Sequence, residues 1–164
     1  MVRMMIDSDI GQIMERINSI NGTSLMSFQT VLLENLPDKE TVRSQLFNYS
    51  VAIYGYYEND KLLGLIYYQL PSVISFQGAA TIYWINCDGM PGNMFRTLLV
   101  ESAEDLFRNS GMNKVKIHLT NASFFGGNIE DTLTRYGFVK EAEIKHGVGW
   151  QNDLLVFALI RKEL

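Results

Sequence analysis

The sequence predicts a mixed α/β domain: a mostly antiparallel central sheet with one parallel crossover and helices on both faces. Three observations carry this. Two apolar runs, 51–57 and 62–70, flank the polar turn Glu58-Asn59-Asp60-Lys61, which is the pattern of a β-hairpin. The segment 94–110 has the strongest helical period in the chain, with Phe95, Leu98, Leu99, Ala103, Leu106 and Phe107 on one face. That helix lies between strand-like segments at 80–87 and 114–120, and a strand–helix–strand unit implies a parallel pair.

The elements follow in order. Asp7 or Ser8 caps a first helix, in which Ile10, Ile13, Met14, Ile17 and Ile20 recur at helical spacing until Asn21-Gly22. A second helical stretch is expected over 24–34, and a third from Asp38, just after Pro37, to Phe47. The two hairpin runs are apolar at alternate and intervening positions, as in strands covered on both faces. Along 94–110, Arg96, Glu101, Glu104 and Arg108 take the outer face, and Gly111 suits a helix stop. Ile129, Leu133 and Tyr136 suggest a short helix ending at Gly137. Segments 138–145 and 154–161 read as final strands, with Gly147 and Gly149 in the turn between them.

Bulk composition limits the functional classes. A chain of 164 residues with 47% hydrophobic and 20% charged residues suits one domain over 1–164 with one core. The net charge of −4 argues against a nucleic-acid-binding surface. One cysteine, Cys87, allows no intrachain disulfide, and with His118 and His146 as the other soft ligands no structural metal is expected. This usage fits a reducing cytoplasm. There is no run of about 18 apolar residues, so no membrane span is expected, and Asp7 and Asp9 interrupt the N-terminal stretch that a secretory signal would need.

The order of elements resembles the fold of the GNAT N-acetyltransferase superfamily, and short motifs strengthen the resemblance. Asn93-Met94-Phe95-Arg96-Thr97-Leu98-Leu99 through Phe107, followed by Gly111-Met112-Asn113-Lys114-Val115-Lys116-Ile117, is similar to the family's central helix and next strand. Tyr136-Gly137-Phe138-Val139-Lys140-Glu141 is similar to its "GFxxE" signature, and Asp153 to Leu159 to its last strand. Ile82-Tyr83-Trp84-Ile85, and His146-Gly147 with Trp150 to Asp153, resemble the branch containing ribosomal-protein N-terminal acetyltransferases. The match spans roughly residues 51–163.

The resemblance implies acetyl-CoA as co-substrate, bound between the strands at 82–87 and 115–120, with its pyrophosphate on the 88–95 loop and the next helix start. The implied cofactor-binding residues are Ile85, Cys87, Gly89, Gly92, Asn93, Met94, Phe95 and Arg96, with Asn121 or Asn128 toward the pantetheine arm. Helix starts favour anions through unpaired N–H groups and the dipole. The family loop, Q/R-x-x-G-x-G/A, aligns with Met90-Pro91-Gly92-Asn93-Met94-Phe95, so Asn93 and Phe95 stand where glycines allow close backbone approach. The branch's strand glutamate falls at Thr81, and the tyrosine that serves as acid in many relatives aligns with Leu133. Asp88 and Ser123 are the remaining catalytic candidates, one as base and the other as a polar group. The function implied is acetyl transfer to a primary amine, a protein N-terminus or a small molecule. The alternative is a GNAT domain that has lost catalysis and binds a ligand or a protein partner. A homodimer is an expectation of the family, and neither a nucleic-acid nor a membrane partner is expected. His118 reads as a strand-face residue, and the aromatic cluster Tyr54, Tyr56, Tyr57, Tyr67, Tyr68, Tyr83 and Trp84 reads as core.

Overall fold

A computed structural model of the chain describes residues 1–20, 27–29, 37–72, 78–86, 92–120, 129–147 and 153–162. The elements are β1 (Val2–Met4), α1 (Ile10–Ile20), β2 (Ser27–Gln29), α2 (Lys39–Phe47), β3 (Val51–Glu58), β4 (Lys61–Gln69), β5 (Ala79–Asn86), α3 (Gly92–Asn109), β6 (Lys114–Thr120), α4 (Ile129–Arg135), β7 (Val139–Ile144) and β8 (Leu154–Ile160). A short 3-10 turn, Asp7–Asp9, leads into α1.

The strands form one sheet in the order β1-β3-β4-β5-β6-β8-β7, with β2 also paired to β5. All pairs are antiparallel except β5 with β6. The hairpin, the crossover and the last two strands thus stand where the sequence puts them. The hairpin turns through Asn59 and Asp60, both at positive φ (48° and 61°), the backbone that a tight twisted hairpin requires. The two helix stops also hold: Gly111 (φ 66°) follows α3, and Gly137 (φ 94°) follows α4.

Two expectations are corrected. Residues 27–29, placed within a helix over 24–34, form strand β2, and the rest of that stretch lies outside the described residues. At residues 27–29 the chain is extended because β5 offers an unpaired edge, and tertiary pairing overrides local propensity. The start of α1 is organised by Asp9 and not by Asp7 or Ser8. The Asp9 carboxylate accepts from the Ile6 amide at 2.9 Å and from two nitrogens of Arg3 at 2.9 and 2.8 Å.

The core has two parts, one on each face of the sheet. On one face Ile10, Ile13 and Ile17 of α1 and Val42 of α2 pack against Ile53, Leu65, Tyr67 and Trp84. On the other face Phe95, Leu98, Leu99, Ala103 and Leu106 of α3 and Leu133 of α4 pack against Ile66, Ile82, Ile85, Val115 and Ile117. Each fully buried aliphatic side chain contributes about 1.5–3 kcal/mol. Two phenols bolt α3 to the sheet: the Tyr54 hydroxyl donates to Asp105 at 2.7 Å, and Tyr68 shares a 2.6 Å bond with Ser102. Desolvation pushes both phenols above their usual pKa, so they remain neutral donors.

Arg3 also donates to the Tyr57 hydroxyl at 3.0 Å and lies over its ring. β1, the start of α1 and β3 are joined in this way. The Arg3 guanidinium, ahead of the Ile6 amide, holds the Asp9 carboxyl below its ordinary value despite desolvation. A depressed carboxyl contributes stability above its unfolded pKa and loses it as pH falls through the folded value. We therefore expect Asp9→Asn to lose about 1.5–3 kcal/mol at neutral pH. Urea unfolding should show the gap between wild type and variant closing below about pH 4. A gap that is constant with pH would mean that the charged pair is not its source.

Candidate functional site

The site is built where the sheet splits. β5 and β6 pair from Ala79↔Lys114 to Ile82↔Ile117 and no further, although β5 continues to Asn86 and β6 to Thr120. β5 stays with β4 as far as Leu65↔Asn86, and β6 stays with β8 as far as Thr120↔Leu154. The cause lies in β5. Tyr68 pairs with Ile82 and Tyr67 with Trp84, so Tyr83 is the extra residue of a β-bulge. A bulge bends and twists its strand, and this one falls where the parallel ladder ends.

The gap is partly filled. β2 pairs antiparallel with Trp84–Asn86 (Ser27↔Asn86, Phe28↔Ile85, Gln29↔Trp84). β4 already holds one edge of this stretch, so β2 takes the edge that β6 has left. In sequence, α3 starts at Gly92, six positions after the last residue of β5. Its first turn carries no acidic residue. An 18-residue helix presents unpaired amides and the positive dipole end there.

The first turns of α3 separate the predicted residues by role. Asn93 and Arg96 are exposed, and Met94 is half-buried against the core. The Arg96 guanidinium lies 6.0 Å from the centroid of the Tyr136 ring. A groove of about 550 Å³ beside it is lined by Arg96, Arg108, Arg161 and Lys162, together with Tyr136 and with Glu104, whose carboxylate stands 3.9 Å from Arg108. Phe95 is 1% exposed and packs with Tyr136 at 5.9 Å. Its side chain therefore points into the core and does not obstruct approach to the helix start. Ile85 is likewise fully buried beneath α3, so only its backbone is available to a ligand. Gly92 is the first residue of α3. Cys87, Asp88, Gly89, Asn121, Ser123 and Asn128 lie outside the described residues.

Of the positions aligned with catalytic groups, Thr81 sits in the paired part of the sheet, opposite Gln69 and Lys116. Leu133 is fully buried. Neither supplies an acid or base at the gap. His118 is half-buried on β6, and desolvation, with Lys116 nearby, lowers its pKa and favours the neutral ring. Sequence reasoning missed Asn86, which is fully buried at the end of β5 with its Oδ1 accepting from Arg16 at 3.2 Å. The signal was an amide side chain at the end of an otherwise apolar strand. Among the described residues no group of three or more His, Cys, Asp or Glu could hold a metal, and no helix is long and apolar enough to cross a membrane.

No family model matches the sequence, and no curated protein matches it. Solved structures do. A ribosomal-protein-alanine N-acetyltransferase from Brucella melitensis superposes with a TM-score of 0.71 at 18% identity, covering 98% of this chain and 99% of that one. A GNAT-family acetyltransferase from Streptococcus pneumoniae gives 0.75 at 13% identity, with 98% and 99% covered. A spermidine N-acetyltransferase from Vibrio cholerae gives 0.70 at 15%, with 98% and 94% covered. The likeness runs over nearly the whole of each chain, and this protein has the fold of the GNAT acetyltransferases.

Proposed function

We propose that the chain is an acetyl-CoA-dependent N-acetyltransferase acting on a primary amine. The observation that carries this reading is the split between β5 and β6 at the Tyr83 bulge, with the acid-free start of α3 following six positions after β5 in the chain. The similar structures that bear a substrate in their names act on amines: a ribosomal-protein alanine in one case and spermidine in another.

The residues present fit an anionic, amide-rich co-substrate. The first turn of α3 offers backbone donors to a pyrophosphate, Asn93 and Arg96 stand exposed beside it, and the inward turn of Phe95 leaves that approach clear. Acetyl-CoA supplies an acetyl thioester. The chain's part is to hold a neutral amine in line with it, which by itself lowers the barrier substantially. A base must take the ammonium proton before attack, and a donor must supply a proton to the sulfur as the C–S bond breaks. Asp88 and Ser123 remain our candidates for these roles.

β2 holds the β5 edge that an extended amide chain would use. We expect acetyl-CoA to release it, so that the amides of Ser27–Gln29 exchange faster with solvent when the ligand is present. Unchanged exchange at saturation would mean that the ligand binds without using that edge. The test of the function itself is calorimetric titration with acetyl-CoA, followed by CoA release over an amine panel. Absence of binding at millimolar ligand would favour the alternative, a domain of this fold that binds a partner without catalysis.

A further inference from the structure

The groove between α3 and the end of β8 runs against the charge of the chain. The whole sequence has 14 Lys and Arg and 18 Asp and Glu. The groove takes in Arg96, Arg108, Arg161 and Lys162 with a single carboxylate, Glu104. Elsewhere on the surface Arg3 stands against Asp9, Arg43 against Asp7, Lys114 against Glu141 and Lys145 against Asp153. In the groove Arg108 has such a partner, Glu104 at 3.9 Å. Arg161 and Lys162 are exposed and have no ion-pair partner among the described residues. They follow β8 directly, and the Arg161 amide donates to the Asn113 carbonyl at 2.9 Å, which fixes the backbone that carries them.

The floor between these cations is apolar. Val100 and Leu159 are half-buried, Phe107 is buried, and Ile160 at the edge is 49% exposed. An apolar centre with a charged rim is the composition of a protein-docking surface. The groove is also long. Arg96 and Arg108 are twelve positions apart on α3, about 18 Å along the helix axis. An extended segment of about five or six residues spans that length, whereas a free phosphate reaches one end only. The end at Arg96 adjoins the α3 start, where the co-substrate is proposed to bind. Arg108, Arg161 and Lys162 have no part in that proposal.

We infer that this groove docks an acidic segment of a partner protein, one that carries aliphatic side chains among its carboxylates. The carboxylates meet Arg108, Arg161 and Lys162 at the rim, and the aliphatic groups cover Leu159 and Ile160. A nucleic acid fits less well. The two rings of the lining, Phe107 and Tyr136, are buried and half-buried, so neither is free for a base to stack on. The acidic surplus of the chain also opposes a long run of phosphates. The inference goes beyond the acetyl-transfer reading and does not rest on it.

The test is fluorescence anisotropy of labelled dodecapeptides with the full chain at low salt. A peptide repeating Glu-Glu-Leu should bind, and one repeating Gln-Gln-Leu should bind about tenfold or more weakly. Oligoglutamate of equal length should also bind more weakly, because it leaves the apolar floor uncovered. Arg161→Glu combined with Lys162→Glu should cost the Glu-Glu-Leu peptide about tenfold or more in affinity, and added salt should weaken wild-type binding. Both positions are exposed, so the melting temperature should stay near that of wild type, and the paired Gln variants give the same comparison without new charge. Four results would each overturn the inference. The Gln-Gln-Leu peptide or oligoglutamate binds as well as the Glu-Glu-Leu peptide. Binding survives the charge reversal. A twelve-nucleotide oligothymidylate binds more tightly than the Glu-Glu-Leu peptide, which would assign the groove to nucleic acid. The charge reversal abolishes acetyl-CoA binding, which would assign these cations to the co-substrate.

Discussion

Phe95→Ala is expected to destabilise the protein by about 3–5 kcal/mol, and to leave acetyl-CoA affinity unimproved in whatever fraction stays folded. By alignment, Phe95 stands where related loops carry a small residue, and on sequence grounds its bulk should hinder a ligand at the helix start. In the structure the ring is 1% exposed, in the cluster that includes Leu98, Leu99 and Leu133, and stands against Tyr136. Truncation therefore opens a cavity in the largest part of the core and clears no path outside it. Urea unfolding measures the first effect and calorimetry the second. A variant with near-native stability and tighter cofactor binding would place the ring at the site and reverse this account.

Asn93→Asp separates helix electrostatics from ligand electrostatics, because the two respond with opposite sign. A carboxylate in the first turn of α3 interacts favourably with the dipole, by about 0.3–1 kcal/mol at an exposed position. The same charge would stand close to a pyrophosphate carrying two negative charges. In water a like-charge pair at about 4 Å costs about 1 kcal/mol, so two such pairs predict roughly a tenfold or greater loss of acetyl-CoA affinity. The melting temperature should rise slightly while Kd worsens, and added salt should shrink both effects. Unchanged affinity would remove the α3 start from the cofactor site without disturbing the fold.

Much of the fold was legible because its signals are local. The alternating and continuous apolar runs of the hairpin, the seam of α3 and the glycines at 111 and 137 each report on their own neighbours in sequence. The crossover then restricts β5 and β6 to a parallel pair. β1 and β2 were not legible, since three-residue strands have no period of their own and exist by pairing, with β3 and with β5 respectively. The site divides in the same way. The region of the gap followed from the family resemblance, and the exposed position of Arg96 from helical phase. The inward turn of Phe95 belongs to the same helical face and was legible there, but alignment to a glycine pointed the other way.

What the sequence determined alone is the order and kind of the main elements, the two-faced core and the absence of disulfides, because periodicity, turn chemistry and composition act over short stretches or over the whole chain. Only the tertiary structure decided where β5 leaves β6, which strand takes the vacated edge, and that Trp84 and Asn86 are buried with donors to spare. Those outcomes depend on a bulge at Tyr83 and on partners as distant in sequence as Arg16, 70 residues from Asn86. Hydrogen-bond satisfaction is a property of the folded neighbourhood and leaves no period in the chain.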